Sequence, residues 1–285
     1  MENIQWFPGH MKVALNMIRE ELKLCDVIIY VLDARCPVSS LNPKFEEFTA
    51  RKPVLFVLNK IDLAKSGVRN NLSILANKDG SNIVLLNSTQ SGAGQKIING
   101  IDRVLVDKIN AMKEKGIKKI VRAAVIGVPN CGKSTLINNL AGKGKTLTGD
   151  RPGVTRTKQW VVVNDHLWIL DTPGTLYPWS TTKGGDEERL KQSKIAKNLA
   201  YVGSIKDDIM DIIELAKNLV ADLNILDQNC LNKRFGADSF EDICKKRGYV
   251  LKGGVLDEGR GAKAILTEFR AGKIGNFNLD ELVMV

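Results

Sequence analysis

The chain has 285 residues, of which 44% are hydrophobic and 26% are charged, so a disordered or fibrous protein is excluded. Its formal net charge of +10, with 42 Lys and Arg against 32 Asp and Glu, favours an anionic macromolecular partner, although solvated surfaces are also rich in basic residues. Five cysteines without a CxxC pair, only two histidines and short apolar runs indicate a cytoplasmic protein with reduced thiols and no zinc site. We expect a monomer without a membrane partner.

Strand and helix patterns alternate through the first part of the chain. Apolar residues recur at helical spacing from Met11 to Leu22, and the short apolar runs DVIIYVLDA, PVLFVLNKID and NIVLLNS are typical of buried parallel strands. A helical stretch from about Gln95 to Lys115, the strand VRAAVIG, a helix that begins at Lys133, and a hairpin of WVVVN with LWILD follow. This alternation predicts an α/β fold with a doubly wound, mostly parallel sheet.

The rest of the chain has only helical patterns. The predicted helices are an apolar stripe from Ile209 to Leu223, a helix from Phe240 to Arg247 capped by Ser239, and a helix from about Glu258 to Ala271 after a turn at Gly253 and Gly254. The sequence therefore predicts one domain over 1–180, with an N-terminal extension over 1–24, and an all-helical domain over 181–285.

A phosphate-binding pattern lies between the strand VRAAVIG and the helix that follows it. The segment GVPNCGKS, from Gly127 to Ser134, matches GxxxxGK[ST], in which backbone N–H groups surround the β-phosphate of a nucleotide. Lys133 would bridge the β and γ oxygens, and the Ser134 hydroxyl would ligate Mg²⁺. The further candidates at this site are Asn130, Cys131, Gly132 and Thr135.

A guanine-binding pattern, NKID, ends an earlier buried strand. The Asp62 carboxylate can accept hydrogen bonds from guanine N1–H and the exocyclic amine, two donors that adenine does not present on that edge. Asn59 would hold a neighbouring loop, and the stem of Lys60 would pack over the base. Ser88 and Thr89, in the loop NST after the next strand, are the candidates for binding guanine O6. The sequence therefore predicts GTP and GDP as the nucleotides.

Two further segments indicate a switch that senses the γ-phosphate. In DTPG, Asp171 would reach Mg²⁺ through water, and the Gly174 N–H would contact the γ-phosphate. In TGDRPGVTRTK, Thr155 is the candidate that ligates Mg²⁺ only in the triphosphate state, and an ordinary loop threonine is the alternative. A metabolic P-loop kinase would explain the phosphate pattern but neither NKID nor DTPG.

The order of these patterns along the chain is rotated. NKID precedes GVPNCGKS and DTPG, whereas Ras-like domains begin with the phosphate loop and have NKxD near their end. A circular permutation explains this order, because joining the usual ends and opening the chain elsewhere leaves the same site. The predicted first domain is therefore a circularly permuted Ras-like P-loop GTPase domain.

Several segments, taken with this order, resemble one family along essentially the whole chain. They are WFPGHM, VLDAR at 31–35, GVPNCGKS, DRPGVT and the tail RGYVLKGGVLDEGRGAKAILTEFRAGKIG, which closely resemble the YlqF/RbgA family of circularly permuted GTPases. The resemblance implies a helical RNA-binding domain and a role in late assembly of the large ribosomal subunit, with its precursor particle and rRNA as partners. It also implies a slow intrinsic GTPase that the particle stimulates.

The resemblance implies a catalytic role for His10, and a match to potassium-activated GTPases indicates one for Asn130. His10, in FPGHM, would replace the glutamine that orients water in Ras, since Thr175 stands at the glutamine position, where the family usually has an apolar residue. A lone histidine before an amphipathic helix is also typical of a solvated or capping residue. Asn130 matches the asparagine that helps to hold K⁺ in potassium-activated GTPases.

Basic residues near the end of the chain are the candidates for RNA contact. They are Lys245, Lys246, Arg247, Lys252, Arg260, Arg270 and Lys273. Because acidic residues nearly balance these charges, a purely structural helical cap is the alternative. Two other functions stay open: an RNA-binding protein for which hydrolysis is incidental, and a GTPase that acts on tRNA or a small-subunit particle.

Overall fold

The computed structural model describes residues 9–67, 80, 82–116, 120–142, 160–176 and 186–284. These residues form two compact units, a sheet unit over 9–62, 80, 82–116, 120–142 and 160–176, and a helical unit over 63–67 and 186–284. No helix within these ranges is long and apolar enough to cross a membrane. All five cysteines lie in the described ranges, and each is buried with a free thiol.

A six-stranded sheet forms the core of the sheet unit. Its strands are β1 (Val27–Asp33), β2 (Val54–Asn59), β3 (Ile83–Leu85), β4 (Val121–Ile126), β5 (Trp160–Asn164) and β6 (Leu167–Asp171). The spatial order is β3-β2-β1-β4-β6-β5, in which only the β5 and β6 pair is antiparallel. Every residue of β1 and β2 is buried, as expected for central strands covered on both faces. The predicted doubly wound, mostly parallel sheet is confirmed.

The helices of the sheet unit largely follow the predicted pattern. They are α1 (Gly9–Leu22), the short α2 (Glu46–Thr49), α3 (Ala93–Val104), α4 (Val106–Glu114) and α5 (Lys133–Ala141). The single helix predicted from Gln95 to Lys115 is interrupted at Leu105, where φ is −105° and ψ is 13°. The Leu105 N–H still donates to the Ile101 carbonyl at 2.9 Å, and Leu105 is buried. The interruption is therefore a kink at a buried leucine. The periodicity of the sequence did not predict it.

The strand register brings the ends of β1 and β2 to one edge of the sheet. Asp33 and Asn59, the last residues of these strands, are paired across the ladder. The parallel strand β4 runs into Gly127, and β6 ends at Asp171. Because parallel strands present their carboxyl ends at the same edge, the segments that follow these four strands converge there.

Helices account for most of the helical unit. They are α6 (Asp186–Tyr201), α7 (Ile212–Leu226), α8 (Cys230–Phe235), α9 (Phe240–Lys246), α10 (Glu258–Arg270) and α11 (Glu281–Met284), with α7 packed against α10. The Ser239 hydroxyl accepts a hydrogen bond from the Asp242 N–H at 3.1 Å, which confirms the predicted cap. Ile209 lies in a short 3₁₀ turn before α7 and is 51% exposed, so the prediction that it belongs to the apolar stripe is wrong.

Two isolated β-bridges also belong to the helical unit. Val250 pairs with Leu256 around the turn at Gly253 and Gly254, and Ala64 pairs in parallel with Phe277. The Lys65 N–H donates to the Phe277 carbonyl at 3.2 Å. The chain thus joins the helical unit immediately after NKID, which no pattern in the sequence predicted.

Two glycines of α10 are expected to respond oppositely to alanine. A Cβ at Gly261 would overlap Cys244 Sγ, whereas a Cβ at Gly259 would meet only Asp257 Oδ1 at 3.9 Å. We expect Gly261→Ala to lower the free energy of unfolding by about 1–3 kcal/mol through overpacking. Gly259→Ala is the matched control and should raise it by up to about 1 kcal/mol through helix propensity. Urea unfolding followed by circular dichroism measures both, and equal effects would contradict this packing.

Candidate functional site

The phosphate loop connects β4 to α5 and depends on two glycines. Gly127 has φ of 153° and Gly132 has φ of 99°, backbone angles that residues with a side chain rarely adopt. A Cβ at Gly127 would overlap the Val31 carbonyl oxygen, and a Cβ at Gly132 would overlap Asn59 Nδ2. Glycine therefore lets this loop lie directly against the ends of β1 and β2.

Lys133 begins α5 and is buried beneath the loop. Its Nζ atom donates to the carbonyl oxygens of Gly127 at 3.1 Å and Val128 at 2.8 Å. A Cβ built on Gly174 would lie 2.8 Å from the same Nζ, so the DTPG segment passes beside this ammonium group. An ammonium group held by carbonyls of the phosphate loop can bind phosphate oxygens that approach the loop.

Asn59 ties the phosphate loop to the NST loop. Its Nδ2 donates to the Cys131 carbonyl at 2.8 Å, and its Oδ1 accepts from the Ser88 N–H at 2.9 Å. Asn59 and Ser88 are both buried. The two candidate loops, which are far apart in the chain, are thus parts of one site.

Lys60 and Asp62 occupy the turn after β2. The Lys60 backbone is left-handed, with φ of 61°, and its Nζ donates to Asp33 Oδ2 at 2.9 Å and to the Asn130 carbonyl at 2.6 Å. Asp62 lies in the 3₁₀ turn Ile61–Leu63, where its side chain is exposed. The arrangement leaves the carboxylate of Asp62 accessible to a base beside the Lys60 stem.

Asn139 is a residue of this site that the sequence reasoning missed. From α5 its Nδ2 donates to the Ser88 carbonyl at 3.3 Å and to the Gln90 carbonyl at 3.2 Å, and its Oδ1 accepts from the Gly94 N–H at 3.0 Å. These bonds hold the NST loop against the phosphate-loop helix. No local pattern marks Asn139, because its partners are distant in the chain.

The Thr89 side chain is exposed beside Ser88. Its N–H and hydroxyl both donate to Asn87 Oδ1, at 2.9 and 2.7 Å. These bonds close the turn of the NST loop, so Thr89 shapes the loop in which Ser88 is held.

Oxygen ligands that suit Mg²⁺ lie at the start of α5 and the end of β6. The Ser134 and Thr135 side chains are exposed, and Asp171 is half-buried. Burial raises the pKa of Asp171, an effect that the nearby Lys133 charge opposes. Within the described ranges no three His, Cys, Asp or Glu residues form a metal cluster. Hydroxyl and carboxylate oxygens fit Mg²⁺, which usually retains water or phosphate oxygens as its other ligands.

Thr175 follows DTPG and is fully buried. Its N–H donates to the Gly127 carbonyl at 3.4 Å, while its hydroxyl oxygen has no hydrogen-bond partner among the described residues. By contrast, the Thr172 hydroxyl donates to the Val125 carbonyl at 2.7 Å. The Thr175 hydroxyl is therefore enclosed in this structure and has no contact with solvent.

The two remaining switch and catalytic candidates are only partly described. Thr155 lies outside the described residues. His10 is in the first turn of α1, and its side chain is outside the described set.

The basic candidates in the helical unit differ in their partners. Arg270 donates from Nε to the Tyr201 carbonyl, from Nη2 to the Ala200 carbonyl, and from both Nη atoms to Asp207 at 2.7 Å. Its guanidinium group therefore ties α10 to the end of α6. Lys252 and Lys273 are exposed, and neither has an ion-pair partner in the described part of the chain.

The other basic candidates make partial contacts at the surface. Lys245 pairs with Asp242 at 3.3 Å, and Lys246 donates to the Gly236 carbonyl. The remaining contacts are those of Arg247 with Glu268 at 3.8 Å and with the Phe235 ring at 5.0 Å, and of Arg260 with the Tyr249 ring at 5.1 Å.

The sheet, the phosphate loop and the NKID contacts together define a P-loop GTPase domain whose motifs occur in rotated order. The family model described as 50S ribosome-binding GTPase matches residues 122–232. Ribosome biogenesis GTPase A of Bacillus licheniformis is 37% identical over 290 residues, which cover 98% of each chain.

Solved structures agree with this assignment. GNP-bound YlqF from T. maritima superposes with a TM-score of 0.59 and 26% identity, over 91% of this chain and 94% of that one. A GDP-bound structure of TM YlqF gives the same score and identity over 92% and 97%. The chain belongs to the YlqF/RbgA family of ribosome biogenesis GTPase A proteins. It binds guanine nucleotides and hydrolyses GTP.

Thr175→Val should stabilise the protein. Removing a buried hydroxyl without a partner, at nearly constant volume, should raise the free energy of unfolding by about 1 kcal/mol. Thr172→Val is the matched control and should lower it by about 1 kcal/mol, because it deletes a made hydrogen bond. Urea unfolding measures both variants. Equal effects of the two substitutions would contradict the contrast between an unpartnered hydroxyl at Thr175 and a bonded one at Thr172.

Proposed function

We propose that this GTPase acts late in the assembly of the large ribosomal subunit, on the precursor particle, and that the particle stimulates its hydrolysis of GTP. Support comes from the similarity to ribosome biogenesis GTPase A of Bacillus licheniformis and from the match to the family described as 50S ribosome-binding GTPase. The net charge of +10 agrees with an RNA-rich partner.

The observation that carries the nucleotide assignment is the pair of Asn59 hydrogen bonds to Cys131 and Ser88. Because one amide joins the loops, a nucleotide whose phosphates bind the phosphate loop would have its base beside NKID. Asp62 would then accept from guanine N1–H and the exocyclic amine, with the Ser88 and Thr89 loop at O6. Lys133, Gly132, Asn130 and the N-terminus of α5 would bind the phosphates.

We assign metal binding and γ-phosphate sensing to the start of α5, the end of β6, the DTPG segment and Thr155. Ser134 would ligate Mg²⁺ directly, Asp171 through water, and Thr155 in the triphosphate state. Mg²⁺ held by these residues would neutralise negative charge on the phosphates of the nucleotide. The Gly174 N–H, whose residue lies beside Lys133, would report the presence of the γ-phosphate.

For hydrolysis we assign His10 as the residue that orients the attacking water when the particle is bound. The burial of Thr175 supports this assignment indirectly, since the position after DTPG offers no exposed polar group. Asn130 is assigned to a K⁺ ion, which would add positive charge at the phosphates. Asn130 has φ of 57° and an exposed side chain, which places its amide at the surface of the loop.

RNA contact is assigned to the exposed basic surface of the helical unit. Lys252 and Lys273 are the strongest members, with Lys245, Lys246, Arg247 and Arg260 around them, because their ammonium and guanidinium groups are wholly or partly open to solvent. Arg270 would contribute mainly by tying helices together. Phosphate contacts of this kind weaken steeply with added salt.

Co-sedimentation with ribosomal particles tests the proposed partner. We expect the protein to bind large-subunit precursors more tightly with GTP or a non-hydrolysable analogue than with GDP. Lys252→Gln combined with Lys273→Gln should weaken binding and reduce its salt dependence, whereas Lys96→Gln, an exposed lysine on α3, should not. Preferential binding to small subunits or tRNA, or binding without any hydrolysis on the particle, would contradict the proposal.

His10→Ala should retain GTP binding but lose most of the hydrolysis that the particle stimulates, because orienting water by a general base is typically worth about 10²–10⁴-fold. Single-turnover hydrolysis with and without precursor particles measures this loss, and unchanged stimulated turnover would refute the role of His10.

The same assay in potassium chloride and in sodium chloride tests the role of Asn130. We expect faster hydrolysis in potassium chloride, and equal rates would exclude a K⁺ contribution.

A further inference from the structure

A buried cluster of charges lies at the carboxyl ends of β1 and β2, next to NKID. Asp33 ends β1 and is paired in register with Asn59, which ends β2. Asp33 is 0% exposed and Arg35 is 2% exposed. Charged side chains are almost never buried so completely unless they are paired, so their partners should explain why the chain keeps them here.

Arg35 fixes the orientation of the Asp33 carboxylate. The Arg35 Nε donates to Asp33 Oδ1 at 2.9 Å, and Nη2 donates to Oδ2 at 2.8 Å. The Arg35 backbone N–H adds a third bond to Oδ1 at 3.1 Å. This bidentate geometry leaves the carboxylate one defined orientation.

The same carboxylate holds Lys60 of NKID. Lys60 Nζ donates to Asp33 Oδ2 at 2.9 Å and to the Asn130 carbonyl of the phosphate loop at 2.6 Å. A left-handed backbone is unfavourable for a residue other than glycine, and Lys60 adopts one. Immobilising a lysine side chain also costs rotamer entropy, so the two bonds at Nζ must offset both effects.

The charges of the cluster interact with Asp62, the residue that would recognise guanine. Although burial alone would raise the pKa of Asp33, Arg35 and Lys60 hold it well below its usual range. Burial likewise opposes the charge of Arg35, but Asp33 raises the pKa of Arg35, with a smaller contribution from Asp62. Asp33 therefore stays ionised at neutral pH, and both Arg35 and Lys60 pair with it.

Stability alone does not account for this arrangement. Replacing buried ion pairs by apolar side chains of similar volume is often neutral or stabilising, so a core at this position has no need of Asp33 and Arg35. The third member, Lys60, is 25% exposed and faces the NKID turn. The feature that the cluster uniquely provides is a fixed position for the Lys60 side chain.

We propose that Asp33 and Arg35 are positioning residues for guanine-nucleotide binding, which act through Lys60. Arg35 orients Asp33, Asp33 holds Lys60 Nζ against the Asn130 carbonyl, and the aliphatic stem of Lys60 is thereby fixed where it covers the base. The inference rests on the assignment of NKID to the guanine base.

A double-mutant cycle on GDP affinity tests this chain of contacts in the full-length protein. Asp33→Asn removes the charge of Asp33 with little change in shape, and Lys60→Met removes the ammonium group but keeps an unbranched stem. We expect each single variant to weaken binding of fluorescent GDP by about tenfold, the effect of losing about 1.4 kcal/mol. The double variant should also be weaker by about tenfold. A hundredfold loss in the double variant would show that the two residues act independently and would overturn the proposal. No loss of affinity in Asp33→Asn would overturn it as well.

Two controls separate positioning from folding and from base recognition. Circular dichroism establishes whether each variant is folded. If Asp33→Asn does not fold, Arg35→Lys replaces it in the cycle. The effect of Arg35→Lys on GDP affinity should then disappear when Lys60→Met is also present. Binding of IDP, whose base lacks the exocyclic amine, distinguishes the roles. Asp33→Asn should weaken GDP and IDP by the same factor, whereas Asp62→Ala should reduce the preference for GDP over IDP. An unchanged preference in Asp62→Ala would refute the base assignment itself, independently of the cycle.

Discussion

One buried side-chain amide, that of Asn59, holds the nucleotide site together. A primary amide can donate and accept at once, and Asn59 uses its Nδ2 on the Cys131 carbonyl and its Oδ1 on the Ser88 N–H. Burying a polar group is costly unless it is hydrogen-bonded. The Asn59 amide makes both of its bonds only when the phosphate loop and the NST loop are both in place. The glycine at 132 is required by the same contact, because any Cβ there would overlap Nδ2.

Around this amide, the site collects positive charge under backbone carbonyls. Lys133 donates to the carbonyls of Gly127 and Val128, and Lys60 donates to the Asn130 carbonyl. Carbonyls of the phosphate loop therefore hold both ammonium groups in place. The positive φ values at Gly127, Asn130 and Gly132 turn the loop so that it follows the sheet edge closely. Lys133 would thus bind phosphate with little rearrangement, whereas the Lys60 ammonium group is already engaged by Asp33 and Asn130.

The parts predicted from sequence are those that depend on local chemistry. A glycine loop between a strand and a helix, the apolar runs of β1 and β2, and the Ser239 cap each carry their signal within a few residues. Asn139 and the Leu105 kink carry none, since their partners or packing are set by tertiary structure. Asp33 and Arg35 did leave a signal that went unused: two charged residues at the end of an apolar strand, in VLDAR, are hard to bury without partners.

The rotated motif order has a structural consequence at both ends of the site. In this chain Asp62 is followed at once by Leu63, Ala64 and Lys65, which belong to the helical unit through their bonds to Phe277. The chain that leaves DTPG also leads toward α6. The motif that would read guanine and the motif that would sense the γ-phosphate are therefore each covalently continuous with the helical unit. In a Ras-like order NKxD lies near the end of the domain and the motif after the switch leads back into the sheet. Under the proposed function, these two covalent connections are the routes by which a bound nucleotide would bias the helical unit and its attachment to RNA.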